Sequence, residues 1–131
     1  ARVATMPGAD HRQQRGRRGE QVAEEFLRAL GYVILARNYR VSFGEVDIIA
    51  QDRQTLVFVE VRTHTGAAFG DPLASVNTRK QRQIAKAAWH YLARNGLLER
   101  EARFDVVGIR WENEQARLTH IKSAFELPRS W

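Results

Sequence analysis

Two carboxylates stand where a folded chain has little ordinary use for them. Asp47 interrupts the apolar run Val46-Asp47-Ile48-Ile49-Ala50, and Glu60 closes the run Leu56-Val57-Phe58-Val59. Burying an ionised carboxylate without a partner is expensive, and two close together repel. A divalent cation held by oxygen ligands would compensate. Mg²⁺ typically takes one or two protein carboxylates, leaving positions for water and a substrate phosphate. Internal pairing is the plainer alternative, with Glu60 on Arg62 or another arginine and Asp47 capping backbone at a strand end. On the residues alone both readings stay open. Glu20 is a third acidic candidate at the border of an apolar helical stripe, although an acid in a helix's first turn is also favoured by the helix dipole.

The charge around these residues is unevenly spread. Residues 1–40 carry 8 basic and 4 acidic side chains, 41–76 carry 2 and 5, 77–103 carry 7 and 2, and 104–131 carry 4 and 4. An acidic segment therefore lies between two basic ones within a net charge of +6. Carboxylates for a cation, flanked by cations for phosphates, suit a metal-dependent enzyme acting on a polyanion. Charge by itself favours the plainer reading, two solvated basic helices around a turn-rich acidic middle. Eighteen of the 21 basic residues are Arg, a usage that a G+C-rich genome also produces.

Other chemistries are excluded. Cysteine is absent, which removes disulfides, thiolate zinc sites and cysteine nucleophiles. His11, His64, His90 and His120 show no metal-ligand spacing, no Gly-rich phosphate loop with its lysine is present, and no serine sits in a strand-to-helix elbow. Trp89 and Tyr91 read as packing or surface cover, because no row of aromatics alternates with basic residues on a strand. No apolar run approaches the roughly 20 residues that cross a bilayer, so the expectation is a soluble, cytoplasmic protein with no membrane partner.

Strands and helices must position the two carboxylates. At 131 residues, with 44% hydrophobic and 27% charged residues, the chain suits one globular domain. Residues 1–15 lack apolar periodicity and predict a flexible basic arm, leaving 16–131 as the single domain. Val22, Ala23, Phe26, Leu27 and Leu30 predict a first helix over about 17–30, stopped by Gly31. Strands are predicted over 32–40, 44–50 and 55–63, the last two joined through Gln51-Asp52-Arg53-Gln54. Leu56 to Val59 is apolar on both faces, as in a strand covered on both sides. A second helix is predicted over 77–94, then strands over 103–111 and 115–121. The order is α-β-β-β-α-β-β. Strict alternation puts Glu45, Asp47 and Ile49 on one face of their strand, and Leu56, Phe58, Glu60 and Arg62 on one face of the next. Adjacent strands would then bring Asp47 and Glu60 within reach of one cation.

Gly19-Glu20 opening a helix, Gly44-Glu45-Val46-Asp47-Ile48-Ile49-Ala50, and Val57-Phe58-Val59-Glu60-Val61-Arg62 together resemble the YraN family of predicted endonucleases. The likeness continues through Phe69-Gly70-Asp71-Pro72, Lys80, Arg103-Phe104-Asp105-Val106-Val107 and His120-Ile121-Lys122-Ser123-Ala124-Phe125, covering about residues 16–127. That family is similar to the restriction-endonuclease-like superfamily, and within it to archaeal Holliday-junction resolvases. The resemblance implies an α/β core with a central mixed five-stranded sheet flanked by helices. It also implies Mg²⁺ or Mn²⁺ on Asp47 and Glu60, with Glu20 matching the helix glutamate of resolvase-like members. Arg62 takes the place of the usual lysine, since the chain reads Glu60-Val61-Arg62-Thr63-His64 where the family has Glu-Val-Lys-Thr-Arg. Arginine keeps the positive charge but is effectively never deprotonated, so it cannot serve as a general base. Lys80 could supply an ammonium if its helix begins beside the site.

The function implied is a metal-dependent endonuclease hydrolysing phosphodiester bonds of DNA, branched DNA among the candidate substrates. Arg15, Arg17 and Arg18 with Arg12, and Arg79, Lys80, Arg82 and Lys86 on the second helix, would grip backbone phosphates without reading bases. The alternatives are a catalytically impaired nuclease-fold module that only binds nucleic acid, and a scaffold whose basicity is incidental. A homodimer is a further arrangement left open.

Overall fold

The computed structural model describes residues 2–7, 19–65, 71–113 and 115–126. In chain order these form β1 (Arg2–Pro7), α1 (Gly19–Ala29), β2 (Val33–Val41), β3 (Gly44–Asp52), β4 (Thr55–Thr65), a single 3₁₀ turn (Pro72–Ser75), α2 (Thr78–Arg94), β5 (Ala102–Glu112) and β6 (Gln115–Phe125). The strands make one sheet in the order β1-β6-β5-β4-β3-β2. Only β4 and β5 run parallel; every other neighbouring pair is antiparallel. The architecture is thus the expected α/β one, a mixed sheet flanked by helices.

It has six strands where five are expected. The sixth is β1, which pairs antiparallel with β6 from Arg2↔His120 to Pro7↔Gln115. Pro7, Gly8 and Asp10 predict a flexible arm over the whole of 1–15, whereas residues 2–7 form a strand. Nothing local predicts the strand, because its partner lies more than a hundred positions along the chain. Residues 8–15, and with them most of the predicted arm, lie outside the described residues.

The remaining elements follow their sequence signals. The stripe Val22, Ala23, Phe26 and Leu27 buries α1 on one face of the sheet against Ile48, Ala50, Val57, Val59, Val107, Ile109 and Leu118. On the opposite face α2 buries Ile84, Ala85, Ala87, Ala88 and Leu92 against Val46, Ile49, Leu56, Phe58, Phe104 and Val106. Leu56 to Val59 are sealed from solvent because β4 lies between β5 and β3 with a helix layer on either side. The β3–β4 connection is shorter than expected: pairing extends to Asp52↔Thr55, and Arg53 turns the chain at φ 58°. Asn77 caps α2, its side-chain oxygen accepting the Lys80 N–H at 2.8 Å. Among the described residues no helix is long and apolar enough to cross a membrane.

Candidate active site

Alternation along β3 breaks at Asp47, and the break aims its side chain. Val46 joins the core under α2, Ile48 the core under α1, and Ile49 the core under α2 again. The residue out of phase is Val46, which simple alternation puts on the face of Ile48 and the structure puts on that of Ile49. In the neighbouring β2, Asn38 adopts φ 50° between the pairs Arg37↔Ile48 and Tyr39↔Val46, opposite Asp47. Pairing between β3 and β4 runs from Asp52↔Thr55 only as far as Ile48↔Val59. Beyond that point Asp47 Oδ2 accepts the Val61 N–H at 2.8 Å. The carboxylate thus satisfies a ladder donor of β4 at the fork where β3 and β4 part.

Glu60 lies at the same fork. It shares the α2 face of β4 with Leu56 and Phe58 and is only 3% exposed. Its carboxyl is a hydrogen-bonding neighbour of Asp47. Burial, and then the charge of Glu60, push the Asp47 carboxyl up to about 7 against the opposing pull of the Val61 N–H. Two carboxyls in contact cannot both ionise cheaply unless a cation joins them.

Cations arrive from two elements. Arg62 Nη1 reaches Glu60 Oε2 at 3.3 Å, and Arg62 Nε donates to Ser75 Oγ at 3.0 Å. Ser75 in turn donates to the Pro72 carbonyl at 2.7 Å, so the 3₁₀ turn holds the guanidinium from behind. Lys80, in the first turn of α2, places Nζ 3.8 Å from the same Glu60 oxygen. The contribution of Ser75 is invisible in the sequence, because the residue is thirteen positions from Arg62 and in no recognisable pattern with it.

Two close approaches bring the flanking helices to this end of the sheet. A Cβ on Gly19 would lie 2.3 Å from Thr63 Oγ1, so the start of α1 sits directly on β4. A Cβ on Gly44 would lie 2.1 Å from the Gln83 carbonyl oxygen, so the β2–β3 turn packs on the backbone of α2. Both glycines belong to the segments that carry the family resemblance, and the space they leave is the physical reason for them. Glu20 follows Gly19 and is half-buried. Its charge acts on Arg40, which is raised above its ordinary value chiefly by its hydrogen bond to Glu45, with weaker help from Glu20 and Asp47.

The predicted residues fall into three groups. Asp47, Glu60, Arg62 and Lys80 come together, and Glu20 stands on the α1 side of the same end. Arg79, Arg82 and Lys86 are exposed on α2 at helical spacing that lines them along one stripe. Arg12, Arg15, Arg17 and Arg18 lie outside the described residues. No group of three or more His, Asp or Glu among the described residues is arranged to hold a metal ion, so a cation here would rest on the Asp47–Glu60 pair. Hard carboxylate oxygens in a pair suit Mg²⁺ or Mn²⁺, which retain other positions for water and phosphate.

The chain is similar to known proteins along most of its length. The sequence profile of the family described as Uncharacterised protein family UPF0102 matches residues 19–109. A UPF0102 protein of Geobacter sulfurreducens is 49% identical over 121 residues, covering 92% of this chain and 94% of that protein. Another, from Geotalea uraniireducens, is 50% identical over 113 residues, covering 86% of this chain and 89% of its own. Among solved structures, Pyrococcus furiosus SfsA in complex with Ca²⁺ is similar at a TM-score of 0.35 and 16% identity, over 77% of this chain. The chain spans 58% of that protein's length.

Proposed function

The chain belongs to the UPF0102 family, and from that premise we propose that it is a metal-dependent endonuclease acting on the phosphodiester backbone of DNA, branched DNA included. The observation that carries this reading is the Asp47–Glu60 pair: two carboxyls in contact, one pushed up to about 7, with two cations beside them. Two carboxyls in contact, with the cations beside Glu60 and a backbone N–H on Asp47, suit a further cation from outside the chain. Asp47 and Glu60 would hold Mg²⁺ or Mn²⁺, which when bound supplies Lewis-acid polarisation of a phosphate oxygen.

The chain's own groups do the rest. Val61 N–H orients Asp47, and the Ser75–Arg62 link orients Glu60. The positive potential beside Glu60 favours the phosphorus centre, where negative charge grows as water adds and one P–O ester bond breaks. The departing oxygen takes a proton and leaves a free hydroxyl end. Arg79, Arg82 and Lys86 offer a stripe of exposed charge to backbone phosphates, which favours binding without base reading. Glu20 adds negative potential on the α1 side.

A cleavage assay on linear, flapped and four-way DNA, with and without Mn²⁺, tests this. The wild-type chain should cut only with the metal, and Asp47→Ala and Glu60→Ala should each remove the cutting. Cleavage undiminished in the double variant would point to a contaminating nuclease and remove the site. DNA binding with no cleavage in the wild type would favour the impaired binding module instead.

A further inference from the structure

We infer that Lys80, rather than Arg62, is the side chain that contacts the scissile phosphate, and that Arg62 is a positioning residue; this rests on the nuclease reading above. Both cations approach Glu60 Oε2, but they differ in what else they do. The Arg62 guanidinium is fixed on two sides, with Nε on Ser75 Oγ at 3.0 Å and Nη1 on Glu60 at 3.3 Å. Ser75 is itself tied to the Pro72 carbonyl. A planar fork held at both edges joins the turn Pro72–Ser75 to the carboxylate and has little freedom to follow a reacting group.

Lys80 has that freedom. At 3.8 Å its ammonium is beyond hydrogen-bonding distance of Glu60, and among the described residues it donates no side-chain hydrogen bond. Its backbone is anchored where the side chain is not, since its N–H is capped by Asn77 Oδ1 at 2.8 Å. The first turn of α2 carries no acidic residue, while Arg79 and Lys80 stand there and Arg82 follows. Cations at a helix N-terminus oppose the helix dipole, and an anion arriving there relieves the conflict. The one ammonium of that turn that faces the Asp47–Glu60 pair is Lys80. The Asp47–Glu60 pair is thus served by a mobile ammonium from α2, while Arg62 on β4 holds the carboxylate.

The test compares Lys80→Ala, Lys80→Arg, Arg62→Ala and Ser75→Ala in the full chain by two readouts: single-turnover cleavage of saturating DNA with Mn²⁺, and Mn²⁺ affinity by calorimetry without DNA. Lys80→Ala should slow cleavage about 100-fold to 1,000-fold, the usual size for losing one transition-state donor, with Mn²⁺ affinity kept or tightened. Lys80→Arg should recover part of the rate. Arg62→Ala should weaken Mn²⁺ binding by about 10-fold to 100-fold, as loss of a group orienting a metal ligand does, and Ser75→Ala should weaken it in the same direction. If Lys80→Ala cuts at the wild-type rate while Asp47→Ala is dead, the inference fails and the nuclease reading stands. If Lys80→Ala weakens Mn²⁺ binding as much as Arg62→Ala does, Lys80 only holds Glu60 and the inference fails again. A wild-type chain that cuts none of the DNAs overturns the nuclease reading, and this inference with it.

Discussion

The sheet buries carboxylates on both of its faces, and the two clusters are built in opposite ways. Under α1, Asp105 is wholly sealed yet fully provided for. Its oxygens accept Arg103 Nε at 3.0 Å and the Ser123 N–H at 3.1 Å, and His120 Nε2 lies at 2.8 Å. Arg103 is itself shared with Asp52 and the Tyr32 hydroxyl, and the His120 ring packs edge-on to Phe26 and Tyr32. Burial raises the Asp105 carboxyl, but the bonds from His120 and Arg103 outweigh it and hold the group below its usual range. Toward α2, Asp47 has one backbone donor and a second carboxyl, and burial wins. The difference teaches how a fully matched acid is told from one that, under the proposed function, is kept for a cation. The first brings its counter-charges within the fold, whereas the second is left short of them.

The contrast is broken or sharpened most strongly at Asp105. Asp105→Ala leaves Arg103 and His120 buried without their shared partner and should cost about 3–5 kcal/mol of folding free energy, read by urea denaturation. A loss under about 1 kcal/mol would mean that the network is solvated and the comparison false.

Asp47→Asn should act in the reverse direction. The amide oxygen can still accept the Val61 N–H while the repulsion from Glu60 disappears. The Asp47 carboxyl has a folded pKa raised to about 7 against about 3.9 for an unfolded aspartate, so the native state binds more protons than the unfolded one across that interval. Its contribution to stability is fully present below about pH 4 and is lost as pH rises through about 7. Asp47→Asn should therefore be more stable than wild type at pH 8, by roughly 1–3 kcal/mol, and the gain should vanish near pH 4. Asp105 runs the other way, its lowered pKa giving stability that is present above the unfolded value and lost in acid. Thermal melts of both proteins from pH 4 to 8 measure this; a variant less stable than wild type at pH 8 would show that the pair is compensated after all.

The smallest effect concerns the exposed charges, which under the proposed function contribute to binding and hardly to folding. Arg82→Ala or Lys86→Ala should leave the melting temperature nearly unchanged and reduce the salt slope of DNA binding by about 0.9 for each lost phosphate contact on a duplex. An unchanged slope in both variants would place the DNA elsewhere on the surface.

Much of this was written in local pattern. The 3.6-residue stripe of Val22, Ala23, Phe26 and Leu27, the doubly apolar run Leu56–Val59, the turn at Arg53 and the cap at Asn77 each depend on near neighbours, and each appears where its signal lies. Asp47 and Glu60 stand out for the same reason, as charges inside apolar runs. Asp105 also stands inside an apolar run, Phe104-Asp105-Val106-Val107, and is more deeply buried than Asp47. A charge is costly or harmless according to its partners, and its partners come from Arg103 on the same strand and from His120 and Ser123 on the next. The phase slip beside Asp47 lies opposite Asn38 of β2, the strand β1 needs the edge of β6, and the convergence of Ser75 and Lys80 on the Arg62–Glu60 pair needs the 3₁₀ turn and α2 to return over the sheet. Sequence by itself determined the period, the burial and the candidate acids, because these are properties of neighbouring residues. Tertiary structure alone decided which buried charges are compensated, because compensation is pairwise and joins residues far apart in the chain.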